Sequence, residues 1–212
     1  LHNVISFSIT QALAFHKRGF LQNLTNSSTS EIKLAQPDPQ KVYISTYGCQ
    51  MNVADSERMN ALLEMVNYTS VETPEKADLI IINACSVREK PVQKVYSEVG
   101  TFRKLKKKNP SLKIGVGGCV GNQEKGKLIE NQPLIDFVFG TDNIDELPSI
   151  LSSLNQKQVR TQFHHRDPYH VETLVKNPGV ATFVNITKGC DNFCSFCIVP
   201  FTRGREKSRP LP

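Results

Sequence analysis

Three runs in this chain, KVYISTYGC, ADLIIINAC and SLKIGVGGC, each build a β-strand pattern and then stop on a cysteine, at Cys49, Cys85 and Cys119. The continuous apolar stretch of ADLIIINAC is typical of a parallel strand buried on both faces. Helical sequence separates the runs. In NVADSERMNALLEMVNY, residues Met59, Leu62, Leu63 and Val66 recur at the spacing of a stripe packed on a sheet, and Asn52, Asp55 and Glu57 suit its first turn. VQKVYSEVGTFRKLKKKN reads as a second helix ending at Pro110. Residues 122–132 read as a third, IDFVFG as a fourth strand and IDELPSILSSL as a closing helix. This alternation predicts an α/β fold, a doubly wound and mainly parallel sheet. A crossover between parallel strands takes about 30 residues or more, so intervals of 36 and 34 residues between the cysteines amount to one crossover each. All three cysteines are then expected at the carboxyl ends of neighbouring strands, the edge where open α/β sheets place their sites.

The other three cysteines crowd together in KGCDNFCSFCIVP, as Cys190, Cys194 and Cys197. Six cysteines raise the question of a disulfide framework, but no secretory signal precedes them and the spacing is not that of a small secreted scaffold. Any one strand-end cysteine has a plain reading as a small buried residue. Three at equivalent strand ends favour a shared metal site, and glycine at Gly48, Gly117 and Gly118 would let the backbone approach a bulky inorganic group. Zinc normally collects four ligands, whereas the compact set offers three thiols with no histidine after His170. An iron–sulfur cubane held by three cysteines keeps one iron open to a ligand. Zinc remains the alternative.

CDNFCSFC, residues 190–197, resembles the radical S-adenosylmethionine signature, with Phe196 just before the last cysteine. The resemblance implies that Cys190, Cys194 and Cys197 hold a [4Fe-4S] cluster whose open iron binds S-adenosyl-L-methionine. It implies that Phe196 lies near the adenine, and that reductive cleavage gives a 5′-deoxyadenosyl radical; core packing is the other reading of Phe196. YGCQMN (47–52), NACSVREK (83–90), GVGGCV (115–120), and GCDNFCSFCIVPFTRGRE (189–206) with SRP (208–210) resemble the MiaB-type methylthiotransferases in order. Ala84 stands where that pattern leads one to expect Thr. The likeness implies that Cys49, Cys85 and Cys119 hold an auxiliary [4Fe-4S] cluster used in sulfur insertion. The implied reaction adds a methylthio group to carbon 2 of N6-isopentenyladenosine beside the anticodon of tRNA, a second S-adenosyl-L-methionine giving the methyl. The implied partners are that tRNA and an electron donor such as flavodoxin or ferredoxin, with the protein a monomer. The competing readings are a methylthiotransferase acting on threonylcarbamoyl-adenosine in tRNA or on a ribosomal protein, and a non-catalytic metal-binding module.

The expected organisation is a poorly ordered extension over residues 1–40, the methylthiotransferase N-terminal α/β domain over 41–155, a linker over 156–180 and the start of a radical SAM domain over 181–212. ATFVNIT is its expected first strand. The chain is expected to be an N-terminal piece of a longer enzyme, inactive alone. Of the net charge of +6, residues 151–212 contribute nine basic against four acidic groups, a surplus that suits a polyanion. Within it, TRGREKSRP (202–210) is either a solvated loop or a phosphate or cofactor contact. RKLKKK (103–108) fits the C-terminal end of a helix, with tRNA contact as the alternative. His164 and His165 read as polar linker residues. No apolar run is long enough to span a bilayer. A reducing compartment suits the thiolates, so the cytoplasm is expected, or an organelle if residues 1–40 are a transit peptide.

Overall fold

Within the run LIIINA, alternate side chains serve two different cores. Ile80, Ile82 and Ala84 belong to one apolar cluster and Leu79 and Ile81 to the other, which is the period of two expected of a strand with both faces covered. The computed structural model describes residues 38–86, 89–164 and 184–210. Its strands are β1 (Gln40–Tyr47), β2 (Tyr68–Ser70), β3 (Leu79–Ala84), β4 (Lys113–Gly117), β5 (Phe137–Phe139), β6 (Gln158–Arg160), β7 (Thr187–Lys188) and β8 (Lys207–Ser208). The first six form one parallel sheet in the order β2-β1-β3-β4-β5-β6. The expected doubly wound fold is therefore present.

The helices are α1 (Gln50–Met65), α2 (Glu89–Thr101), α3 (Arg103–Lys108), α4 (Gly118–Glu124), α5 (Lys127–Asn131), α6 (Leu147–Ser152) and α7 (Val199–Arg203). Met59 and Leu63 of α1 and Leu147 and Ile150 of α6 pack with Val42, Leu79, Ile81, Phe137 and Phe139 on one face. Val95 and Val99 of α2, Val120 of α4 and Leu128 of α5 cover Ile80, Ile82, Ile114 and Val116 on the other. Each such aliphatic side chain contributes about 1.5–3 kcal/mol when fully buried.

Several local expectations need correction. The α1 stripe ends one turn early: Val66 follows the helix and is 41% exposed. Asn52 and Asp55 are buried and bonded inward rather than capping, and Cys49 occupies the N-cap. The second helix breaks at Phe102, whose side chain turns into the core. Residues 122–132 break at Lys125, which takes a φ of 51°. Strands β2 and β6 had no counterpart in the sequence pattern, and β6 lies past residue 155, so the sheet continues into the segment expected as a linker. The described part of ATFVNIT enters an antiparallel ribbon, β7 with β8. The expected N-terminal extension lies outside the described residues up to residue 37, as do residues 165–180 of the linker. Among the described residues, no helix is long and apolar enough to cross a membrane.

Candidate metal centre

Strands β1, β3 and β4 are neighbours in register, Tyr47 opposite Ala84 and Asn83 opposite Gly117. Cys49, Cys85 and Cys119 follow these strand ends by one or two residues, so all three reach the same carboxyl edge. The chain leaves β1 for β2 on one side and returns to β3 on the other, which makes this the switch point where doubly wound sheets bind ligands. The β1–β3 ladder extends to Cys85, whose N–H donates to Tyr47 O at 2.9 Å. Cys49 is exposed, Cys85 half-buried and Cys119 buried. Burial pushes the Cys119 thiol up; the Arg203 charge beside it acts the other way, and Cys85 adds to the rise.

The edge is stiffened by two asparagines that the strand pattern did not single out. Asn83 is fully buried; its Nδ2 donates to Asn52 O at 2.8 Å and to Ser56 Oγ at 2.9 Å. Asn52 Nδ2 donates to Asn83 Oδ1 at 3.1 Å, and Asn52 Oδ1 accepts from the Cys49 thiol at 3.5 Å. The glycines beside the cysteines leave room for the chain itself, which corrects the sequence reading. A Cβ on Gly48, at φ 137°, would fall 2.5 Å from Cys85 Cβ, and one on Gly117 would fall 2.3 Å from the Phe139 ring. Gly118, at φ 79°, is closed off by Asn83 Oδ1 at 2.3 Å.

The compact trio sits in a loop tied at both ends. Cys190 N–H donates to Gly204 O at 3.2 Å, Asn192 Nδ2 to Cys190 Sγ at 3.5 Å, and Cys197 N–H to Cys194 O at 3.0 Å. Phe193 meets Phe201 edge to face at 6.1 Å and has Arg205 over its ring at 5.1 Å. Phe196 is 91% exposed, so core packing does not account for it.

The basic run after the loop is built into the protein. Arg203 Nη2 pairs with Asp55 Oδ2 at 2.8 Å in a buried contact, Arg205 pairs with Asp191 at 2.9 Å, and Lys207 donates to the His164 carbonyl. Burial would lower the Arg203 guanidinium; Asp55, then Cys119 and Cys49, outweigh it, and the net direction is up. His164 is a bonded residue, with Glu146 Oε1 at 3.0 Å and Asn143 Nδ2 at 3.2 Å, while His165 lies outside the described residues. In RKLKKK, Lys106 pairs with Asp136 and donates to Leu134 O at 3.0 Å. This run leads into the amino end of β4, away from the cysteine edge, which favours the helix-end reading over tRNA contact.

Among the described residues, no three Cys, His, Asp or Glu side chains converge on a point that would hold a single metal ion. A cubane makes a different demand, since each thiolate grips its own iron and the donors stand apart around it. The all-thiol donor sets fit that group, and the Ser86 hydroxyl, one residue from Cys85, is buried without a partner at the same edge.

Residues 41–140 match the family described as "Uncharacterized protein family UPF0004". A protein of Bdellovibrio bacteriovorus named tRNA-2-methylthio-N(6)-dimethylallyladenosine synthase is 69% identical over 173 residues, 80% of this chain and 38% of that protein. Proteins of the same name from Syntrophus aciditrophicus and Carboxydothermus hydrogenoformans are 47% identical over 191 residues (88% of this chain, 41% of theirs) and 48% over 172 (79% and 39%). The chain spans about two-fifths of the length of these curated relatives.

Proposed function

We propose that the chain belongs to the methylthiotransferase family its relatives' name describes, and that it forms the cluster-binding part of a radical S-adenosylmethionine enzyme acting on tRNA. In this reading Cys49, Cys85 and Cys119 hold one [4Fe-4S] cluster, and Cys190, Cys194 and Cys197 hold the other. The substrate in this reading is N6-isopentenyladenosine beside the anticodon, and the product is its 2-methylthio derivative, the compound in the relatives' name. When bound, the clusters and S-adenosyl-L-methionine supply the radical and sulfur chemistry that an unactivated C–H bond requires and no side chain provides.

The chain's own residues do the positioning. Asn52 holds the Cys49 thiol before any metal is bound, while Asn83 fixes α1 to the strand ends. Cys119 is kept from water at 4% exposure, and Arg203 offers a buried positive charge to the thiolates beside it. Phe196 presents an uncovered ring beside the second trio, and its role in this reading is to stack on the adenine of S-adenosyl-L-methionine. An electron donor such as flavodoxin or ferredoxin, a monomeric state and a cytoplasmic site complete the reading.

One observation carries it: three cysteines from three neighbouring parallel strands share one sheet edge, and the helix that follows the other three docks on that edge through Arg203 and Asp55. Anaerobic reconstitution tests it. About eight irons with matching acid-labile sulfide are expected per chain, falling to about four in Cys85→Ala or in Cys194→Ala. Zinc without sulfide refutes the reading. Nucleoside mass spectrometry of tRNA from a deletion strain should then show isopentenyladenosine without its methylthio group; loss from threonylcarbamoyl-adenosine instead would reassign the substrate.

A further inference from the structure

Arg203 stands where the two cysteine sites meet. It closes α7, the short helix that follows the Cys190–Cys197 loop, and its Nη2 lies 2.8 Å from Asp55 Oδ2 in the first half of α1. Both side chains are nearly out of water, at 7% and 11% exposure. The neighbouring Thr202 carbonyl accepts from Asn122 Nδ2 at 2.6 Å and from Thr141 Oγ1 at 3.1 Å. Asn122 belongs to α4, the helix that carries Cys119, and α1 is the helix capped by Cys49. Two of these polar contacts therefore run from one turn of the second segment to the supports of two cysteines of the first, and the third reaches Thr141, just past β5. Gly204 adds a fourth link, since its carbonyl accepts from the Cys190 N–H at 3.2 Å.

The contacts form one continuous path, from Cys190 through Gly204, Arg203 and Asp55 to α1, with a branch through Thr202 and Asn122 to α4. A buried guanidinium suits this place because its planar fork stays charged and holds a carboxylate in fixed geometry. We propose that Arg203 is a positioning residue that locks the Cys190–Cys197 loop to the Cys49–Cys119 edge and so sets the separation of the two sites. This rests on the function proposed above, where a substrate activated at one site must collect sulfur from the other, so their separation limits the transfer.

The test uses the anaerobically reconstituted chain with Arg203→Met, Arg203→Lys and Asp55→Asn. Two readouts are taken: the distance distribution between the reduced clusters by pulsed electron paramagnetic resonance, and hydrogen exchange in α1 and α7. Wild type should give one narrow distance. Arg203→Met and Asp55→Asn should broaden it, with exchange faster by about tenfold or more in both helices, and Arg203→Lys should fall between. An unchanged distance in a folded, iron-replete Arg203→Met protein overturns the proposal, even where its melting temperature drops, because a merely structural ion pair would do that much. Where Arg203→Met fails to fold, Arg203→Lys and Asp55→Asn carry the same readouts. If wild type takes up no pair of clusters, the proposed function fails by itself; faster exchange in both helices then still supports the lock, and faster exchange in α7 alone overturns it.

Discussion

Asn52 and Asn83 are joined twice: Asn52 Nδ2 donates to Asn83 Oδ1 at 3.1 Å, and Asn83 Nδ2 donates to the Asn52 backbone carbonyl at 2.8 Å. One residue opens α1 and the other lies in β3, and both are fully buried. The pair fixes the approach of the Cys49 turn to the Cys85 strand. Asn83→Ala would leave the Asn52 amide and its carbonyl without that partner, at about 1–3 kcal/mol for each buried group left unpaired. A lowered urea midpoint with an unchanged slope is expected. Iron at the Cys49, Cys85 and Cys119 site, read in a variant with the three loop cysteines changed to alanine, should fall more than iron at the loop site, read in a variant with those three strand-end cysteines changed to alanine.

Gly117 and Phe139 are matched across β4 and β5, the ring occupying the space where a Cβ would stand 2.3 Å away. Gly117→Ala should destabilise by about 1–3 kcal/mol through overpacking. Phe139→Leu in the same chain should recover part of that loss, giving a non-zero coupling in a double-mutant cycle of denaturation midpoints. Purely additive effects would show that the clash is relieved elsewhere.

Phe196 separates stability from binding. With 91% of its surface exposed, Phe196→Ala should change unfolding free energy by no more than about 0.5 kcal/mol. Equilibrium dialysis with S-adenosyl-L-methionine on the iron-loaded chain should nevertheless show weaker binding. Equal affinity would remove the ring from the cofactor site.

Tyr68 supplies a pH signature remote from the cysteines. Burial, and after it the neighbouring Asp78 carboxylate, raise its phenol above the ordinary 10.0. A raised folded-state value means that the contribution is complete below the unfolded value of 10.0 and is lost as pH climbs through the folded one. Tyrosinate absorbance during alkaline titration should show a late-ionising fraction that shrinks in Tyr68→Phe, and that variant should lose less stability in the same window.

The legible parts of this fold were those with a repeating signal. β1, β3 and β4 announced themselves as apolar runs, and crossover length turned the cysteine spacing into a shared edge. β2 and β6 are three-residue strands at the two margins of the sheet, too short and too exposed to carry a period. Asp55 illustrates the other limit. Its place early in α1 suits a residue serving the helix terminus, but its partner lies 148 positions downstream, beyond the reach of any local pattern. Gly117 shows the converse error, a small residue read as room for a ligand where the room was already taken by Phe139.

The long reach of Arg203 also orders events during synthesis. The sheet through β6 is complete by residue 160, while Asp55 still lacks its counter-ion and the side on which α7 will rest is uncovered. The edge is therefore complete in backbone before it is complete in charge, its last cation arriving 148 positions after the carboxylate it neutralises.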